Sequence, residues 1–305
     1  MVESTSETAP SLGRDALSGR LERALTALED RDGPSIQWRR AWLLTAAGRY
    51  GDALEACELA KQGAPIVQAA ALMAEAMLYR QVSLHARAEV ADDLALETLR
   101  ASRVRSPSVR AAIRVGQVAD AVGLGADDAV LARRVKVAAG AVTTAGSWRQ
   151  KVRLTWVRGE VAMVRGAYRD ADRAFGTGAR IAHDQGARRH EAKSLIFLAA
   201  ASAAREQQSE AVRLARRGLQ LAARCGAAPL VWPAELILAE VDTDAAEEHL
   251  DRARRVAGGL IDSLPEPLQA EARARPPASW LLTLDPQGAG HVTDDPSPLD
   301  IPTDA

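Results

Sequence analysis

The stretch RGAYRDADRAFGTGAR, Arg165–Arg180, decides the fold. Ala171, Phe175 and Gly178 follow one another at four and three residues, which places them on one face of a helix. Gly166 and Tyr168, just upstream, do not continue that face. Gly166 instead ends a preceding helix, at a point where a residue free to adopt positive φ is needed. The stretch therefore reads as the turn and second helix of a helical hairpin. Ala171 sits where the two helices cross, and a larger side chain there would force them apart.

The same pattern recurs along the chain. AGRYGDALEACELA (47–60) overlays it with Gly48, Tyr50, Ala53 and Cys57 in register. REQQSEAVRLARRGLQLA (205–222) keeps Ala211, Ala215 and Gly218 but has lost the Gly and Tyr. DTDAAEEHLDRARRVA (242–257) fits through Ala246, Leu250 and Ala253, and weaker copies centre on Ala88 and Ala129. The aligned alanines are about 35–42 residues apart, a period typical of helical repeats. Such a hairpin cannot bury its apolar face alone, so the copies must stack.

These residues resemble the tetratricopeptide repeat (TPR) superfamily, in a divergent bacterial form. Gly159, Gly166, Tyr168, Ala171, Phe175 and Gly178 stand in that family's order, and the unit at 48–65 ends in its closing proline, Pro65. The chain departs from the family in its first helices, where the Trp-x-x-Leu-Gly signature survives only as TWVRGE, with Trp156 one residue late. The resemblance covers about residues 35–260. It implies an all-α solenoid of about six stacked TPR-like hairpins with an N-terminal capping helix, RDALSGRLERALTALED (14–30). The expected organisation is a disordered lead over 1–13, the repeat domain over 14–278, and a disordered acidic, Pro-rich tail over 279–305. A short terminal helix is expected in LPEPLQAEARA (264–274), and SWLLTL (279–284) is apolar enough to dock.

Composition agrees with an all-helical protein. Hydrophobic residues make up 47% of the 305, while aromatics are only 4%, and no period-two alternation stands out. The two cysteines, Cys57 and Cys225, fall in helical patterns and read as core residues in a reducing compartment. The N-terminus is polar and acidic, and no run is long enough to span a membrane. The expected location is the cytoplasm.

No catalytic constellation can be assembled, and the reading is non-enzymatic, with no cofactor and no metal. Phosphate-binding glycine loops are absent. His183 and His190 flank a turn without a third ligand. Asp92 and Asp93 in ADDLALE are expected on a solvated face.

Binding is the better expectation. The resemblance implies a concave groove lined by the first helix of each unit. Its residues would be Trp38, Arg39, Trp42 and Thr45 from the first unit, and Arg153, Trp156, Glu160 and Met163 from the best-matching one. Lys193 and Phe197 would follow from the next unit, then Trp232, Glu235 and Leu238. Trp156 and Trp38 either face this groove or fill the family's core Trp position. Aromatic side chains with a few charges suit a peptide or helix of another protein. The chain contains no Asn, the residue through which related proteins clamp a peptide's C-terminal carboxylate or hold its backbone, so both of those modes are disfavoured.

Charge is uneven. Residues 100–228 hold 24 Arg and Lys against 10 Asp and Glu, between acidic flanks. Arg103, Arg105, Arg110, Arg133 and Arg134 belong to this basic middle. It would steer an acidic protein partner, dock the chain's own acidic tail, mediate self-association, or bind nucleic acid through phosphates, the last being the alternative function. The plainest reading is a set of charges on solvated convex faces.

Overall fold

The computed structural model describes residues 20–281, and within them all regular structure is helical. A short α1 (Leu21–Thr26) precedes six hairpins: α2 (Pro34–Ala47) with α3 (Tyr50–Lys61), α4 (Pro65–Gln81) with α5 (His85–Ala101), and α6 (Pro107–Gly123) with α7 (Asp128–Ala145). Then come α8 (Trp148–Val164) with α9 (Tyr168–Asp184), α10 (Arg188–Ala203) with α11 (Gln208–Arg224), and α12 (Val231–Val241) with α13 (Ala246–Asp262). Two short helices, α14 (Glu266–Arg273) and α15 (Ala278–Leu281), finish the described chain. The fold is a TPR-like α-solenoid.

Local chemistry sets the boundaries. Pro34, Pro65 and Pro107 each open a first helix, where a missing N–H costs nothing and the fixed φ is already helical. Asp127 caps α7 by accepting from the Val130 N–H at 2.8 Å, satisfying an otherwise orphaned donor. The turn inside each of the first five hairpins carries one residue of positive φ: Gly48, Ser83, Gly125, Gly166 and Glu206. The feature that Gly166 announces is thus kept by the backbone even where glycine has been replaced.

Ala53, Ala88, Ala171 and Ala211 occupy the same place early in their second helices and are all fully buried. Two expected units are out of register. Ala129 is exposed and Leu131 takes the buried seat in α7. In α13 the seat belongs to His249 rather than Ala246, because its imidazole is held by the carboxylate of Glu235 at 2.5 Å. Gly159 lets the ring of Phe175 lie against the α8 backbone, where a methyl group would overlap it. Cys57 and Cys225 are buried and free.

First helices pack on their own hairpin partners and on each other in succession, α2 to α4 and onward to α12, whereas second helices α3 to α11 pack on the first helices on either side of them and not on each other. The first helices therefore form an inner layer. The array also turns far enough for its ends to meet. Leu260 of α13 sits against Gly48, Arg87 of α5 pairs with Glu271 of α14 at 2.6 Å, and one apolar core runs from Leu44 and Ala46 to Ile237, Leu260 and Leu264.

The expected capping helix is seen only as α1, since residues 14–19 lie outside the described residues. At the other end, Leu281 is fully buried against Ala253 and Ala257, and its carbonyl accepts from Arg254 Nε at 3.2 Å. Residues 282–305, the greater part of the expected tail, lie outside the described residues, as does the expected lead over 1–13. Among the described residues no helix is long and apolar enough to cross a membrane.

Candidate functional site

The inner wall is most heavily furnished where α8 and α10 face α2. Along α8 a helical stripe presents Arg149, Arg153, Trp156 and Glu160, and along α10 Arg189, Lys193 and Phe197, each step being one turn. Trp156 is 7% exposed and donates through Nε1 to Ser194 Oγ at 2.8 Å. Its ring stacks on His190 at 5.5 Å, with Trp148 edge-on to the same imidazole at 5.7 Å. Lys193 Nζ lies 4.9 Å from the Trp156 ring and 5.0 Å from Phe197, and Phe197 stacks on Phe175 at 4.9 Å. Across the array, the Arg149 guanidinium lies 4.3 Å from the Trp42 ring, a cation–π contact joining the fourth hairpin to the first.

This wall is strongly cationic. Burial, with Arg153 and Arg189 nearby, brings the Arg149 guanidinium down to about 9. Burial and Arg80 bring Arg153 to about 10. Burial lowers Lys193 to about 8, against the opposing pull of Glu160. His190 is buried among these cations and held well below the usual imidazole range. Burial raises the Glu160 carboxyl, with Lys193 opposing.

A second polar node lies beside it. Arg80 of α4 reaches the carboxylates of Asp92 on α5 and Asp120 on α6, the latter through Nε at 2.8 Å and Nη2 at 2.7 Å. Gly116 makes room, since a Cβ there would stand 2.6 Å from the guanidinium carbon. Asp92, expected on a solvated face, is instead fully buried, while Asp93 is exposed and accepts from Gln117. A buried carboxylate is tolerated when an Arg from the neighbouring helix meets it, as Arg80 meets Asp92.

Of the expected groove residues, the structure brings together Trp42, Arg153, Trp156, Glu160, Lys193 and Phe197. Met163 is half-buried in the apolar cluster beneath them. Trp38 packs instead against Ala60, Val67 and Ala71, with Arg39 beside its ring at 5.9 Å. Thr45 is buried and bonds back to the Ala41 carbonyl, and Leu238 is core. Trp232 packs beneath the last hairpin, and Glu235 is occupied by His249 and by Arg252 at 3.3 Å. In the basic middle, Arg103, Arg105 and Arg133 are exposed and Arg110 half-buried. Arg134 is held by Glu89 at 2.5 Å and by the Gln117 carbonyl. Sequence reasoning missed Arg149, Arg189, His190 and Trp148. Stepping one turn upstream from Arg153 and from Lys193 reaches both arginines.

No family model matches the chain, and no curated protein matches it either. Solved structures do. The array is similar to that of a Rap protein. The structure of Rap protein complexed with competence and sporulation factor superposes with a TM-score of 0.60 at 14% identity, over 87% of this chain and 77% of that one. The apo form of RapI gives a TM-score of 0.42 at 13% identity, over 87% and 78%. Among the described residues no group of three His, Cys, Asp or Glu side chains is placed to hold a metal ion.

Proposed function

We propose that this chain is a non-enzymatic protein-interaction module, a scaffold or the sensor arm of a regulator, that holds a peptide or helix of a partner against its inner wall. One observation carries the reading: half-buried Trp42, Phe197 and Lys193 line the wall where α8 and α10 face α2, over a buried Trp156, with Arg149 reaching Trp42 across the array. Rigid aromatics backed by long cationic side chains give contact area at little entropic cost. The Rap protein solved with competence and sporulation factor supports the reading, because an array of this fold there carries a bound factor. Nucleic-acid binding through residues 100–158 has less support, since Arg134 is engaged within the protein.

The test is a cross-linked pull-down from source lysate, with and without nuclease, comparing wild type with Trp42→Ala. A discrete protein partner that survives nuclease and is lost in the variant is the expected result. Nuclease-sensitive capture that is unchanged by the substitution would overturn it.

A further inference from the structure

The inner wall holds more positive charge than its own acids answer. Asp120 is taken by Arg80, and Asp92 gives it Oδ2 while also acting on Arg153 from a distance. Glu160 acts on Lys193 without an ion pair of 4 Å or less between them. Among the described residues Arg153 makes a hydrogen bond only to Gln150 Oε1, at 3.3 Å. Arg189 is 7% exposed, and its Nε, the Nε of Arg149 and the Nδ1 of the 3%-exposed His190 are all buried without a hydrogen-bond partner among the described residues. Buried polar atoms left unpaired are rare in folded proteins, and the two arginine donors raise the question of what completes them. Like charges gathered without a counter-ion among the described residues destabilise the fold that holds them, so their presence points to a ligand.

We propose that the wall formed by α8 and α10 is an anion seat, in which carboxylates of an acidic partner segment are received by Arg149, Arg153, Arg189 and Lys193. The proposal rests on the interaction reading above and gives it a ligand chemistry. The planar guanidinium forks suit carboxylate oxygens, while half-buried Trp42 would cover the apolar stem of a Glu side chain. The net positive balance of residues 100–228 would draw such a segment in.

The test uses the full chain against a displayed library of random decapeptides. Selected peptides should be rich in Asp and Glu. Replacing those residues by Asn and Gln should weaken binding by at least about thirtyfold, the lower end for removing one partner of a buried charge pair. The Arg149→Gln/Arg189→Gln variant should no longer tell acid from amide, and without ligand it should melt at a higher temperature than wild type. Selected peptides without acidic enrichment, or a variant that still discriminates, would overturn the anion seat yet leave the interaction reading standing if Trp42→Ala abolishes capture. A variant that melts lower would make the arginines structural and also overturn the seat. Retention of no peptide at all would remove both readings.

Discussion

The hydroxyl of Ser263 accepts from the backbone N–H of Tyr50 at 3.3 Å and donates to the Leu260 carbonyl at 2.7 Å, tying the end of the last hairpin to the turn of the first. The two residues are 213 positions apart in sequence. Solenoids usually contact only their neighbours in the stack. This one also contacts its own beginning.

Gly48 stands at that junction with φ of +88°, and a methyl group on it would overlap Leu260 and crowd Pro229. Gly48→Ala should therefore cost about 2–4 kcal/mol, combining left-handed strain with overpacking. Chemical denaturation would measure the loss. An unchanged midpoint would mean that the two ends are not in close contact.

Glu206 occupies the turn of the fifth hairpin at φ +60°, and its side chain is exposed. Glycine adopts this conformation without a Cβ penalty, so Glu206→Gly should stabilise by up to about 1 kcal/mol. Thermal melts of the two proteins side by side would show it as a small upward shift.

Gly116→Ala should push the Arg80 guanidinium off its seat between Asp92 and Asp120. Overpacking predicts a loss of about 1–3 kcal/mol. If the clamp is what couples the second hairpin to the third, hydrogen exchange should rise in α4, α5 and α6 while α12 and α13 stay protected.

Lys193 gives a pH signature. Its folded pKa is lowered to about 8 from the ordinary 10.5, chiefly by burial. Between those values the unfolded chain holds the proton more often than the folded one, so this group makes stability rise with pH from about 8 to about 10. The Cys57 thiol, pushed up to about 12 from 9.0 by burial, acts in the opposite direction above about pH 9. Comparing wild type with Lys193→Met cancels that contribution. The difference in melting temperature, wild type minus variant, should climb as pH is raised, and a flat difference would place Lys193 in water.

The hairpin architecture was legible because Gly166, Ala171 and Phe175 each answer a backbone or packing demand that few residue types can meet. It blurred where other residues met the same demand. Ser83 and Glu206 take the left-handed turn without being glycine, and His249 fills an alanine seat with the help of Glu235. Neither substitution carries a periodic signal. Of the candidate site, Trp42, Arg153, Trp156, Lys193 and Phe197 are the residues that the resemblance to the repeat family points to. Arg149 and Arg189 were hidden because an Arg in an isolated helix reads as solvated, and only the superhelical turn that carries α8 round to face α2 buries them. Asp92 misled for the same reason, its partner Arg80 lying on a different helix.

The meeting of first and last hairpins bears on how such a protein changes over generations. An open stack can lengthen or shorten by whole units, since a new unit merely adds to the end. Here an added or deleted hairpin would pull Ser263 away from Tyr50 and Leu260 away from Gly48. A change in the number of repeats would therefore break this junction, so the circumference of the inner wall is set by the contact between the first hairpin and the last.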